Sequence, residues 1–366
     1  RDSDALQAVG EDARAEDEAV RLAALYALSE IGEVSSKEIL AEAAETITGF
    51  HRVEATHFYL TFAQRLAEKG HTEEALAVCR DLFESKTAPD ETAVQCAALH
   101  VMSQALGENA IPDLLQAMTN DKEQVRAQAM NITNSFSGNR ITRGLMEFYQ
   151  TAFPDLQAEL IRLLARRGDN KALPLLFAGL DSSEKVVRLA AIESVSTLAG
   201  SASLNALLDV FSNEDKEEVE AAKAALTMMP GTQATADIAA GVTDPHPAIR
   251  LGSIEILVAR GAKDQIQKLC LAGRDDDEDI RLAALKGLGA LGDETVAADL
   301  VALLLEASSV KERKEAEKAL NLVLERSKDR SSAERPIVEG IESGVSSEIR
   351  SALLTALKYV GTPKAL

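Results

Sequence analysis

The sequence predicts an all-α solenoid of about eleven helix pairs. Three observations carry that prediction. A short helical pattern recurs along the whole chain, its copies open about every 31 residues, and no period-2 run bounded by turns lies between them.

The pattern is plainest in "VRLAALYALSEIG" (20–32), "VRAQAMNITNSFSG" (125–138), "VRLAAIESVSTLAG" (187–200), "IRLGSIEILVARG" (249–261), "IRLAALKGLGALG" (280–292) and "IRSALLTALKYVG" (349–361). Each copy opens with a β-branched residue and an arginine. Apolar residues follow at helical spacing and a glycine closes the stretch, which reads as an amphipathic helix ending in a left-handed glycine. Weaker copies open at Phe58, Val94, Leu156, Val219 and Glu312. The wider spacing from Val20 to Val94 predicts a bend or longer helices there.

A second, shorter helix lies between copies, as in "AIPDLLQAM" (110–118), "KALPLLFAGL" (171–180), "SLNALLDVF" (203–211) and "TVAADLVALLL" (295–305). An acidic or polar turn follows it, such as "SNEDKEE" or "RDDDED". Asp, Ser and Asn in that turn cap the next helix, and carboxylates suit its positive end. The unit is therefore helix A, acidic turn, helix B and glycine. "RDDDED" (274–279) lacks the alternating ligands, central glycine and final glutamate of an EF-hand loop, so it reads as a cap.

These residues resemble the HEAT-like repeats, in the short bacterial form also called phycobilin-lyase-type HEAT repeats. The resemblance spans essentially the whole chain and implies a right-handed α-α superhelix. It also implies a role for the arginine after each opener, at Arg21, Arg126, Arg188, Arg250, Arg281, Arg313 and Arg350. In HEAT-like families that arginine pairs with turn carboxylates of its own or the adjacent repeat, a use suited to its planar fork. The competing reading is a basic ladder for a ligand. Tyr59, Gln95, Gln157 and Glu220 interrupt the series.

Composition narrows the function. The net charge of −20 opposes nucleic acid and anionic membranes as partners. No apolar run is long enough to span a bilayer. The three cysteines have no metal-type spacing and read as small buried hydrophobes, which favours the cytoplasm, although a removed export signal stays open.

Solenoids bind along an extended face, and the resemblance implies that the B helices line the concave one. Positions six and nine after each opener fall away from the core stripe. They give a ridge containing His100, Asn131, Asn134, Arg162, Glu193, Glu255 and Lys286, with Arg166 beside it. Its middle, from His100 to Arg166, is polar and locally basic. Met228 and Met229, with Val258, form an apolar spot next to it. The plainer reading is a solvated face. Two aromatic groups, around Phe58 and Phe148, read as core filling where the repeats are irregular.

Enzyme readings fare poorly. Some HEAT-like proteins are iron-dependent hydroxylases that hold metal through His-Glu pairs, but the five histidines here precede Arg52, Phe58, Thr72, Val101 and Pro247. Others are DNA glycosylases with basic, aromatic clefts, which the charge and the absence of tryptophan oppose. A bilin lyase or chaperone is a further alternative. No cofactor is implied. The expectation is a non-enzymatic scaffold binding another protein, or an accessory module of a larger enzyme that binds another domain of its own chain. "VGTPKAL" (360–366) repeats the opening of the A helix at Lys171, so residues 1–366 are expected to be one array within a longer chain.

Overall fold

The computed structural model describes residues 2–327 and 331–360. They form α-helices joined by turns and short 3₁₀ segments, with no β-strand among the described residues. The chain divides into two compact units, Arg1–Ala172 and Leu173–Leu366.

In the first unit the A helices are α1 (Asp2–Asp12), α3 (Lys37–Thr46), α5 (Thr72–Ser85), α7 (Ile111–Ala117) and α9 (Asn139–Tyr149). They alternate with the B helices α2 (Glu18–Ile31), α4 (Arg52–Glu68), α6 (Thr92–Leu106), α8 (Glu123–Ser135) and α10 (Pro154–Arg167). In the second unit the A helices are α11 (Leu173–Leu180), α13 (Leu204–Asp209), α15 (Thr232–Ala240), α17 (Ile266–Ala272), α19 (Ala297–Glu306) and α21 (Ser331–Glu342). Their B partners are α12 (Lys185–Ala199), α14 (Lys216–Met228), α16 (Pro247–Ala259), α18 (Glu278–Leu291), α20 (Val310–Arg326) and α22 (Ser347–Val360). Within each unit every B helix packs on the next, and the A helices pack beside them. The stretch 361–366, expected to open a further A helix, lies outside the described residues.

Burial follows the predicted stripe. The residues four and eight after the opener are buried in α8 (Ala129, Thr133), α10 (Leu160, Leu164), α12 (Ala190 to Ile192, then Val195) and α18 (Ala284, Leu288). In α14 the buried set is Glu218, Ala222 and Leu226, so this copy opens at Glu218 and not at Val219. As at Glu312, an acidic residue fills the site that most copies give to an aliphatic one. Val219 imitated an opener because it is β-branched. The aromatic group near Phe58 is partly core, since Tyr59 and Phe62 are fully buried. The wide spacing there accommodates longer helices, α4 having 17 residues and α5 having 14.

The turns cap the B helices in two ways. Asp17, Asp215, Asp277 and Ser309 stand at N-caps and accept backbone N–H bonds from the first turn. Elsewhere the polar residue sits two positions earlier and turns the chain. Asn120 accepts from the N–H of Lys122 at 2.9 Å and Asp244 from that of His246 at 2.8 Å. Several A helices are shorter than expected because 3₁₀ turns, such as Gly200–Ser203 before α13, replace their first turn.

Two glycines show why the pattern ends as it does. Gly32 closes α2 at φ 62°, and a Cβ there would lie 2.5 Å from Cβ of Arg65. Gly292 was expected to be left-handed but has φ −68°. What excludes a side chain there is space, since a Cβ would sit 2.6 Å from both the Leu288 carbonyl and Val296. Gly32→Ala therefore meets both a conformational and a steric penalty. It should cost about 2–3 kcal/mol, read as a lowered urea midpoint in the full chain.

Candidate functional site

Most of the arginines serve the stacking of the repeats. Arg188 donates from Nη1 to the carbonyls of Ser182 and Ser183, at 2.8 and 3.1 Å, in its own turn. Its Nε and Nη2 reach Glu218, in the next repeat, at 2.9 and 2.7 Å. Arg250 binds the Asp244 and Pro245 carbonyls and forks onto Asp275 at 2.7 and 2.9 Å. Arg281 binds the Asp275 and Asp276 carbonyls and forks onto Glu312 at 3.1 and 2.5 Å. Arg126 clamps the Asn120 and Asp121 carbonyls, with Glu159 at 3.4 Å. Arg21 holds the Ala15 carbonyl at 2.9 Å and lies 4.0 Å from Glu18 of its own helix. Arg350 donates to the Ile341 carbonyl at 3.2 Å. Arg313 lies near Glu348 and helps, behind the helix N–H groups and Ser346, to lower that carboxyl's pKa.

A second set of arginines escaped the sequence reading. Arg260, near the end of α16, donates to the carbonyls of Leu226, Thr227 and Met229 at 2.7–2.9 Å. It thereby satisfies the open end of α14. Arg167 does the same for Thr133 and Phe136 at the end of α8, and Arg326 for Gly289 and Ala290 at the end of α18. The signal was an arginine eleven residues after the openers Leu156 and Ile249.

The predicted ridge falls in both units. In the first, His100, Asn131, Asn134 and Arg166 are exposed on α6, α8 and α10, and Arg162 is half-buried. Asn134 and Arg166 line one polar cleft of about 710 Å³, together with Asn139, Arg167, Asp169 and Lys171. His100 and Asn131 lie outside it. The Asn139 side chain bridges Asp169 at 3.1 Å and the Lys171 ammonium at 2.7 Å. Hydrogen bonds from the Lys171 N–H and Thr142 hold the Asp169 carboxyl below the usual range.

In the second unit Glu193, Met228, Glu255 and Lys286 are exposed. Met229 is not: only 2 % of it is accessible, so the expected methionine pair is a single methionine. The one-residue shift of α14 explains this, because Met229 then falls eleven after the opener, where α10 and α16 tuck their arginines between repeats. Met228 is 81 % exposed and stands between two clefts. One, about 410 Å³, runs between α12 and α14, and the other, about 570 Å³, between α14 and α16.

Among the described residues no three His, Cys, Asp or Glu groups are placed to hold a metal ion. Burial pushes the thiols of Cys79 and Cys270 up to about 12, which leaves them unreactive at neutral pH. No described helix is long and apolar enough to cross a membrane.

The family of HEAT repeats matches residues 142–229 and 235–321. No curated protein sequence matches the chain. Among solved structures, human deoxyhypusine hydroxylase is 17 % identical, with 71 % of this chain and 98 % of that one aligned at a TM-score of 0.30. Kap121p is 12 % identical over 96 % of this chain and 45 % of its own, with a TM-score of 0.49. Kap95p, in a structure with RanGDP, is 14 % identical over 99 % and 58 %, with a TM-score of 0.46. The chain thus spans about half the length of either of the last two.

Glu312 provides a test of the stacking. Burial raises its pKa, but bonds from Arg281 and Ser308 outweigh burial and hold it below the usual 4.5. A carboxylate depressed in the fold stabilises above its unfolded pKa, and that contribution is lost as pH falls through the folded one. Glu312→Gln should cost about 2–3 kcal/mol at neutral pH. The difference from wild type in urea titrations should shrink progressively below pH 4.5, where the wild-type carboxyl also protonates.

Proposed function

The chain is a HEAT-repeat α-solenoid, and from that premise we propose that it is a non-catalytic scaffold. It binds another protein, or another domain of the same protein, on exposed B-helix positions. The observation that carries this reading is Met228, an apolar side chain 81 % exposed with a cleft on either side. Covering such a side chain is favourable, and methionine adapts to the shape that covers it. The polar cleft of Asn134 and Arg166 is a second contact surface, with Arg166 available to an acidic group. The remaining arginines of the repeats support the reading by what they do. They are occupied with carbonyls and carboxylates of neighbouring turns, so the binding surface falls to other side chains.

Affinity capture with the full chain, from cells that make it, tests the proposal. Wild type should retain at least one protein that Met228→Asp loses. Partners that use the first unit should be lost by the double variant Arg162→Glu, Arg166→Glu. Retention of no protein above a blank support sinks the scaffold reading.

A further inference from the structure

We infer that the polar cleft of the first unit takes an acidic segment of a partner protein. One Asp or Glu carboxylate of that segment is gripped by the Arg166 guanidinium. This rests on the scaffold reading and names the chemistry of the partner.

The cleft lies where α8 ends, α9 begins and α10 ends. Arg166 differs from its neighbour there in having no work in the fold. Arg167 uses its donors on the carbonyls of Thr133 and Phe136, both at 3.0 Å. Arg166 is exposed and, among the described residues, makes no hydrogen bond or ion pair. A guanidinium presents its donors in a planar fork that matches the two oxygens of a carboxylate. Asn134, on α8, is also exposed and without a partner among the described residues. Its amide both donates and accepts, which suits the main chain beside a bound carboxylate. A volume of about 710 Å³ gives room for a short segment and not only for one acidic group.

The charge of the lining selects the occupant. Its cations are Arg166, Arg167 and Lys171, and its one carboxylate among the described residues is Asp169. The bonds these groups already make are to neutral partners. Arg167 is held by carbonyls, and the Lys171 ammonium by the Asn139 amide oxygen at 2.7 Å. Asp169 accepts from the Lys171 N–H at 3.0 Å and the Asn139 amide at 3.1 Å. Three cations against one carboxylate leave a local excess of two positive charges, in a chain that carries −20 overall. A segment seated in the cleft feels that excess, because exposed charges beyond about 8 Å are screened at physiological salt. A basic segment is repelled. One carboxylate matches the one free fork, whereas a phosphate would bring a second negative charge up to Asp169. Two copies of this chain repel each other at −20 apiece, so the occupant belongs to a less acidic protein.

The test pans a random peptide library against the full chain. Enriched peptides should carry Asp or Glu and should bind more weakly as salt rises. The best of them should bind about tenfold more weakly to Arg166→Gln, and about fivefold more weakly to Arg166→Lys, whose point charge cannot fork. Arg143→Gln, at an exposed arginine of α9 outside the cleft, should bind it as wild type does. Both arginines are exposed, so these variants keep the wild-type melting temperature. Enrichment of basic or uncharged peptides, no enrichment over a blank support, equal binding to Arg166→Gln, or an equal loss with Arg143→Gln overturns the inference. Tighter binding when phosphoserine replaces the acidic residue overturns it in favour of phosphate. A dimer of the full chain in sedimentation that Arg166→Gln dissolves overturns it in favour of a second copy. If the captured protein is retained while any of these results is found, the scaffold reading stands and this one falls. If capture fails while acidic peptides bind as described, the site is real and the scaffold reading is what fails.

Discussion

The fold depends on one contact, the arginine fork that joins two turns. A single helix pair cannot cover its own apolar faces, so each repeat is stable only against its neighbours. Apolar packing brings the pairs together but allows them to slide. The fork removes that freedom. One guanidinium nitrogen binds carbonyls of its own acidic turn, and the others bind a carboxylate supplied by the next repeat, as Arg188 does with Glu218. The carboxylate is only 2 % accessible. A buried charge of this kind is tolerable only with its partner in place, so it sets register more than it adds stability.

The fork also places the binding surface. With the turns tied together, the B helices are held at fixed spacing, and the side chains between their core stripes become walls and floors. The clefts beside Met228 are gaps between successive B helices of one unit, bottomed by alanines. The arginines at the helix ends add to this rigidity by satisfying carbonyls that would otherwise need water. A stiff surface loses little conformational freedom on binding, which favours a modest patch over a large one.

The fold was legible because its signal is repetitive. Apolar residues four and eight after an arginine-bearing opener, seen many times, leave little choice of helix face. What stayed hidden depended on contacts between distant residues. Glu218 looks like a surface residue until Arg188 of the preceding repeat is placed beside it, and so the β-branched Val219 next to it reads as the opener. That one-residue error put Met229 on the surface beside Met228. Exposure at the sixth position was readable from helical geometry alone, as His100, Asn131, Glu193, Glu255 and Lys286 show. The polar cleft was not, because Asn139, Asp169 and Lys171 come from turns and helix starts that carry no periodicity. Arg260 and Arg167 were visible as letters, but their carbonyl partners exist only once the preceding B helix has ended nearby.

The carboxylates that receive the forks do not occupy equivalent places. Glu218 and Glu312 stand at openers, Asp275 in a turn, and Glu159 one turn into its helix. Each junction is consequently keyed to its own neighbour. An array of identical units could lengthen by copying any one of them. Here a duplicated or transposed repeat would bring an arginine opposite an alanine or a valine and strand an acid without its cation. The chain has the look of a periodic polymer, but its order is written into the joints.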